Sequence, residues 1–150
     1  DFDYYITGMS NTRFDATGKP TYKLEATRVT HYPDTDTAKM ENPHFFYFDV
    51  EGNPWEVTAT SGNLSNDPTR NEELLELFDD VVIHRPLKDG NFITVTTQNL
   101  NVFPDSKDLM TESAATLEAK GTRLEGTGMR ASFADERIDL LNAVKGFHNE

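Results

Sequence analysis

Between its turn residues the chain alternates apolar and polar positions. This is plain in Leu24-Glu25-Ala26-Thr27, Val57-Thr58-Ala59-Thr60, Val95-Thr96-Thr97-Gln98 and Leu124-Glu125-Gly126-Thr127. A period of two is the signature of a strand with one face in a core and the other in water. The alternation predicts strands at 4–13, 21–32, 37–50, 55–63, 74–85, 91–103, 109–120, 123–133 and 138–147, nearly all ending at Gly, Pro, Asn or Asp. Threonine on the polar side suits a half-exposed pleated surface. Two stretches carry a competing helical signal, Asn71–Phe78 and Asp135–Asn142, each with an N-cap residue, an acidic first turn and good helix formers. Both sit where the surrounding rhythm demands a strand, and pairing overrides weak propensity, so both are read as strands.

That rhythm is set by turns of two kinds. Glycine turns at Gly18, Gly52, Gly90 and Gly121 are each followed by an aspartate turn, at Pro33-Asp34, Asp67-Pro68, Pro104-Asp105 and Asp135-Glu136. The glycine turns recur at roughly 35 residues, a spacing that marks a supersecondary unit used repeatedly. The expectation is an all-β domain of about four repeated strand units, arranged as a sandwich, barrel or open roll.

At 150 residues the chain suits a single domain, residues 1–150. A formal net charge of −12 and the lack of any basic stripe exclude nucleic acid as a partner. With no cysteine there is no disulfide scaffold, thiolate metal site or cysteine nucleophile. No apolar run approaches the eighteen or so residues that span a bilayer. The chain begins Asp1-Phe2-Asp3, without methionine, so a tag, signal or anchor is expected to have preceded it.

Candidate chemistry is thin. His31, His44, His84 and His148 lack metal-ligand spacing, so no metal or cofactor is expected. Asp34-Thr35-Asp36 lacks the glycine and closing glutamate of a calcium loop. Gly126-Thr127-Gly128 opens onto a strand rather than a helix, unlike a dinucleotide fingerprint. No serine or carboxylate pair has a recognisable catalytic setting, and an enzyme is not expected. What stands out is bulky apolar content on strand segments: Phe45, Phe46, Tyr47, Phe48 and Val50, then Trp55, Val57 and Ala59, then Leu74 to Ile83. An ordinary sandwich core explains such runs, and so does an apolar trough between two sheets that accepts an apolar ligand. Methionines at 9, 40, 110 and 129 would conform to variable apolar partners.

Taken in order, Tyr4-Tyr5, Phe14 to Pro20, Tyr22-Lys23-Leu24-Glu25-Ala26, His31-Tyr32-Pro33-Asp34, Glu41-Asn42-Pro43, Trp55 to Ala59, Gly62-Asn63-Leu64, Gly126 to Met129 and Leu140 to Gly146 resemble the LptC family. That family is the inner-membrane-anchored periplasmic component of the Gram-negative lipopolysaccharide export bridge. The resemblance implies a twisted, open β-jellyroll of two facing antiparallel sheets. It implies lipopolysaccharide as cargo, received from an inner-membrane ABC transporter complex and passed to an LptA-like periplasmic protein. It also implies a periplasmic location, with tethering by an N-terminal helix that these residues do not include. Cavity-lining positions of the family fall at Met9, Met40 and Ile138, with His148 beside them. Strand parity adds Trp55, Val57, Val95 and Leu140, and the aromatic run adds Phe46 and Phe48, as lipid-facing groups. Tyr4 and Tyr5 mark the end expected to face the transporter. Gly121, Val144 and Phe147 belong to the end expected to pair with the LptA-like partner. A structural or carbohydrate-binding β-sandwich using exposed aromatics is the alternative reading, and a hydrolase is a distant third.

Overall fold

The computed structural model describes residues 1–49 and 53–142, and the backbone of 145–148. Its strands are β1 (Tyr4–Phe14), β2 (Pro20–Tyr32), β3 (Thr37–Glu41), β4 (His44–Tyr47), β5 (Trp55–Thr58), β6 (Ser61–Asp67), β7 (Glu72–Pro86), β8 (Phe92–Phe103), β9 (Asp108–Ala119), β10 (Thr122–Ser132), β11 (Arg137–Leu140) and β12 (Lys145–His148). Among the described residues no helix is long and apolar enough to cross a membrane. Both stretches with helical propensity lie in strands, β7 and β11. Leu75 and Leu77 are fully buried there, so burial of one strand face outweighs the helix preference.

All strands belong to one antiparallel sheet, whose hydrogen-bonded path runs β11-β10-β9-β8-β7-β5-β4-β2-β3-β6, with β1 on β2, β12 on β10 and β6 returning to β7. Each long strand serves two layers. The first half of β2 pairs with β4 and its second half with β3. The first half of β7 pairs with β6 and its second half with β5. The first half of β10 pairs with β12 and its second half with β11. The sheet is therefore creased along a line that crosses the long strands and separates β3 from β4, β5 from β6 and β11 from β12, and its halves face each other as two antiparallel layers. Three of the expected strands, 37–50, 55–63 and 138–147, are each cut in two by this crease.

The crease is built from residues that tolerate left-handed backbone. Gly8 has φ +63°, Asn42 +52°, Asp79 +67°, Asp80 +50°, Gly128 +90° and Asn142 +48°. The β7–β8 register jumps between Phe78 and Val81, and the β9–β10 register between Thr127 and Met129. An extra residue in one strand bends it and increases its twist. Polar bonds along the line replace the interrupted ladder: Asn42 N donates to Thr60 O at 2.9 Å, Thr60 N to Asp79 O at 2.9 Å and Leu141 N to Gly128 O at 3.0 Å.

The two kinds of turn mark the two free rims. Glycines at positive φ (Gly18, Gly90 and Gly121) close the hairpins of one layer, here the glycine layer. Asp36, Asn71, Lys107 and Glu136, also at positive φ, close those of the other, the aspartate layer. Gly52 and Val50 lie outside the described residues. One apolar cluster fills the space between the layers, including Phe45, Trp55, Val57, Leu75, Leu77, Ile83, Val95 and Met129, each 2% exposed or less.

Candidate functional site

Cross-strand pairing shows which side chains share the inner face. In the aspartate layer one row runs Val29, Met40, Gly62, Leu77 and Leu100, and the next runs Ala38, Leu64, Leu75, Val102, Leu109, Ala131 and Ile138. In the glycine layer a row runs Leu24, Phe45, Val57, Ile83, Val95 and Leu117. Met40, Trp55, Val57 and Val95 thus point inward and are buried. Met9, Ile138 and Leu140 are half-buried and pack against the cluster from the two ends of the roll. Gly62 leaves room between Met40 and Leu77, where a Cβ would meet Glu76 O and the Pro43 ring at 3.2 Å. The result is a continuous apolar slot crossing every strand from the β1 edge to the β11 edge.

Phe46 and Phe48 do not face this slot. On β4 it is Phe45 and Tyr47 that are buried, so strand parity puts Phe46 on the outer face. There Phe46 stacks on His44 at 4.0 Å and on Phe48 at 6.5 Å, and Lys23 Nζ lies 4.5 Å over its ring. An unbroken aromatic run carries no alternation to say which member turns inward. Val144 lies outside the described residues, and of Phe147 and His148 only the backbone is described, opposite Arg123 and Thr122. Gly121 holds the β9–β10 hairpin at φ +72°.

The rims meet across the mouth opposite the crease, and here the decisive residues are ones the sequence did not single out. Phe133 follows the last residue of β10 and is 1% exposed. Its ring stacks on Tyr47 at 4.6 Å and on Phe45 at 5.8 Å, and meets Trp55 edge-on at 5.0 Å. Beside it the Tyr22 hydroxyl donates to Glu73 Oε1 at 3.2 Å, joining the two layers. Burial, followed by the charge of Glu73, pushes the Tyr22 phenol up to about 12, so it remains a hydrogen-bond donor through the neutral range. Arg85 sits over Trp55 at 5.1 Å and reaches Glu136 on the opposite rim at 3.9 Å. Lys107 lies 5.8 Å over Tyr47. Alternation from Met129 through Ala131 to Phe133 carries the signal for an inward ring, but only pairing of the layers shows what that ring touches.

The edges differ from the slot. β1 pairs only with β2, and Tyr4, Tyr5 and Ile6 are 50%, 53% and 45% exposed on it. Arg13 on β1 and Lys23 and Arg28 on β2 lie over the rings of Tyr22, Phe46 and Tyr5. A recess of about 910 Å³ lies on the aspartate layer beside Tyr32, Lys39, Asn63 and Phe78, and Met40 and Gly62 of the inner row also line it. Among the described residues no cluster of His, Asp or Glu could hold a metal ion.

Comparison with known proteins agrees with this architecture. A family model described as "Lipopolysaccharide-assembly, LptC-related" matches residues 1–149. The chain is 25% identical over 133 residues to the lipopolysaccharide export system protein LptC of Escherichia coli (strain K12), spanning 88% of this chain and 67% of that protein. The protein of the same name from Shigella flexneri matches with the same figures. The crystal structure of LptH, the LptA homologous periplasmic component of the lipopolysaccharide transport device of Pseudomonas aeruginosa, is similar with a TM-score of 0.61 at 10% identity. That match covers 81% of this chain and 82% of that one, and at this identity the likeness is one of fold.

Proposed function

The chain belongs to the LptC-related lipopolysaccharide-assembly family, and from that premise we propose that it is a non-enzymatic carrier that takes lipopolysaccharide from an inner-membrane ABC transporter complex and passes it to an LptA-like periplasmic protein. The observation that carries this reading is the slot: apolar from Met9 through Met40 and Val57 to Ile138 and Leu140, with only half-buried side chains covering its two edges. Burial of an acyl chain is worth roughly 0.8 kcal/mol per methylene, so a fully enclosing pocket would hold several chains almost irreversibly. A slot open at its ends releases what it binds, and an adjoining slot keeps the tails dry during transfer. Family membership supports a position in the periplasm-facing transport bridge. Directionality must come from the transporter, since no nucleotide-binding motif is present in the sequence.

In this reading each edge has its own partner. Unpaired edge strands are templates for another sheet. The Tyr4–Phe14 edge faces the transporter, and the edge built from β11 and β12 receives the first strands of the LptA-like roll. The sugar-phosphate part of the lipid stays in solvent, in keeping with Arg13, Lys23 and Arg28 being engaged with aromatic rings.

The test is photo-crosslinking to purified lipopolysaccharide from position 40, with position 112 as reference, since the Glu112 side chain is 85% exposed on the outer face. Strong labelling from 40 and background from 112 is the expected result. Equal labelling from both sinks the carrier reading. The ladder of His44, Phe46 and Phe48 on the outer face gives a carbohydrate-binding reading its one specific support. Saturable binding of a lipid-free oligosaccharide, abolished by Phe46→Ala, would favour it instead.

A further inference from the structure

The slot is filled by the protein's own side chains, with Val57, Leu75, Leu77, Ile83 and Val95 at 0% exposure. A lipid tail therefore needs a way in, and the molecule has two long boundaries through which it could open. The crease is continuous backbone. The mouth has no hydrogen-bonded strand pairing across it among the described residues; side chains close it.

On this carrier reading we propose that Phe133 is a removable plug of the lipid slot, and that the first acyl chain to enter takes the place its ring leaves between Tyr47 and Trp55. Three observations converge on Phe133. Its ring has the most aromatic partners in the mouth: Phe45, Tyr47 and Trp55 all belong to the facing layer. Its backbone lies beyond the last paired residues of the β10–β11 hairpin, Ser132 and Arg137, and is held by two bonds that a turn of the side chain leaves intact: its amide donates to Lys107 O at 2.9 Å, and Glu136 N donates to its carbonyl at 3.4 Å. The turn that carries it is tethered across the mouth by the Arg85–Glu136 ion pair, long at 3.9 Å and with its carboxylate half-exposed, so the tether is weak. Swinging Phe133 out thus breaks ring stacking but no sheet ladder. The space it vacates has the flat, apolar walls that a methylene chain packs against, and it opens directly onto Val57 and the inner row. The Tyr22–Glu73 hydrogen bond is the second clasp at the same mouth.

The chain's one tryptophan supplies the readout, because Trp55 meets Phe133 edge-on at 5.0 Å. A brominated palmitic acid quenches tryptophan emission on contact, whereas palmitic acid does not. Brominated palmitate is expected to quench Trp55 in the intact chain. Loss of ring stacking in Phe133→Ala is expected to speed the onset of quenching about tenfold. Tyr22→Phe, which loses the second clasp, is expected to speed it less. Should Phe133→Ala fail to fold, Phe133→Leu and Tyr22→Phe are read the same way. Crosslinking of lipopolysaccharide from position 40 separates the plug from the carrier reading. Labelling at 40 with an unquenched Trp55, or with wild-type uptake rates in the variants, rejects the plug and leaves the carrier. Quenching with faster uptake in the variants, but no labelling at 40, keeps the plug as an acyl site and rejects lipopolysaccharide as its cargo.

Discussion

Met40 and Phe133 show how two buried apolar side chains in different settings do different work. Met40 is 3% exposed in the inner row, with glycine rather than a side chain on its β6 flank. Replacing it with aspartate buries an unpaired carboxylate, which lowers stability by about 2–4 kcal/mol. Below the melting temperature of that variant, lipopolysaccharide capture is expected to fall by about tenfold or more, whereas Arg28→Ala changes it by about twofold at most. Arg28 is half-exposed, lying over Tyr5 and 3.9 Å from Glu41, so its loss removes surface contacts and opens no part of the inner row. Equilibrium binding alongside thermal melts checks both; a larger effect from Arg28→Ala would refute tail gripping. Phe133, by contrast, is buried at a turn, where its ring closes the mouth against Tyr47 and Trp55.

At the scale of elements, the first strand is the one most dependent on pH. Both ring nitrogens of His31 are bonded to carboxylates, Nδ1 to Asp3 at 2.8 Å and Nε2 to Asp36 at 3.1 Å, and Tyr4 stacks on the ring at 4.9 Å. Only the imidazolium donates from both nitrogens, so the bond to Asp3 first, and then that to Asp36, raises the His31 pKa above its ordinary value. A group raised in the fold contributes its full stabilisation below the unfolded value near 6.5, and loses it as pH rises through the folded value. The start of β1 should therefore fray on going from mildly acidic to alkaline solution. Proton NMR of His31 and amide exchange over residues 3–6 test this, and His31→Gln should make the exchange independent of pH beyond its intrinsic dependence. The opposite edge is tested by deletion of residues 138–150. The rest of the roll should keep its β circular dichroism while capture of an LptA-like partner is lost; retained capture assigns docking to another edge.

The whole molecule is a creased sheet, and the crease explains what could and could not be foreseen. Alternation determined that the chain is all-β, and the two turn types determined its repeat, because period-two burial and positive-φ hairpins are local properties of the chain. Among the described residues those turns mark the two rims of the roll, Gly18, Gly90 and Gly121 on one and the aspartate turns on the other. Parity sufficed for Trp55, Val57 and Val95, and it failed for Phe46 and Phe48 because a run of four aromatics has no polar member to fix its phase. The crease itself was hidden. Asn42, Asp79 and Asn142 read as ordinary polar residues, and their left-handed backbone is imposed by the bend of the strands on either side. Hidden too was the mouth, where Tyr22 meets Glu73 across 51 residues of sequence and Phe133 meets Tyr47. Strand identity comes from neighbours along the chain, so the sequence determined it alone. Which side chains close the slot depends on two halves of a sheet folding face to face, and only the tertiary structure decided that.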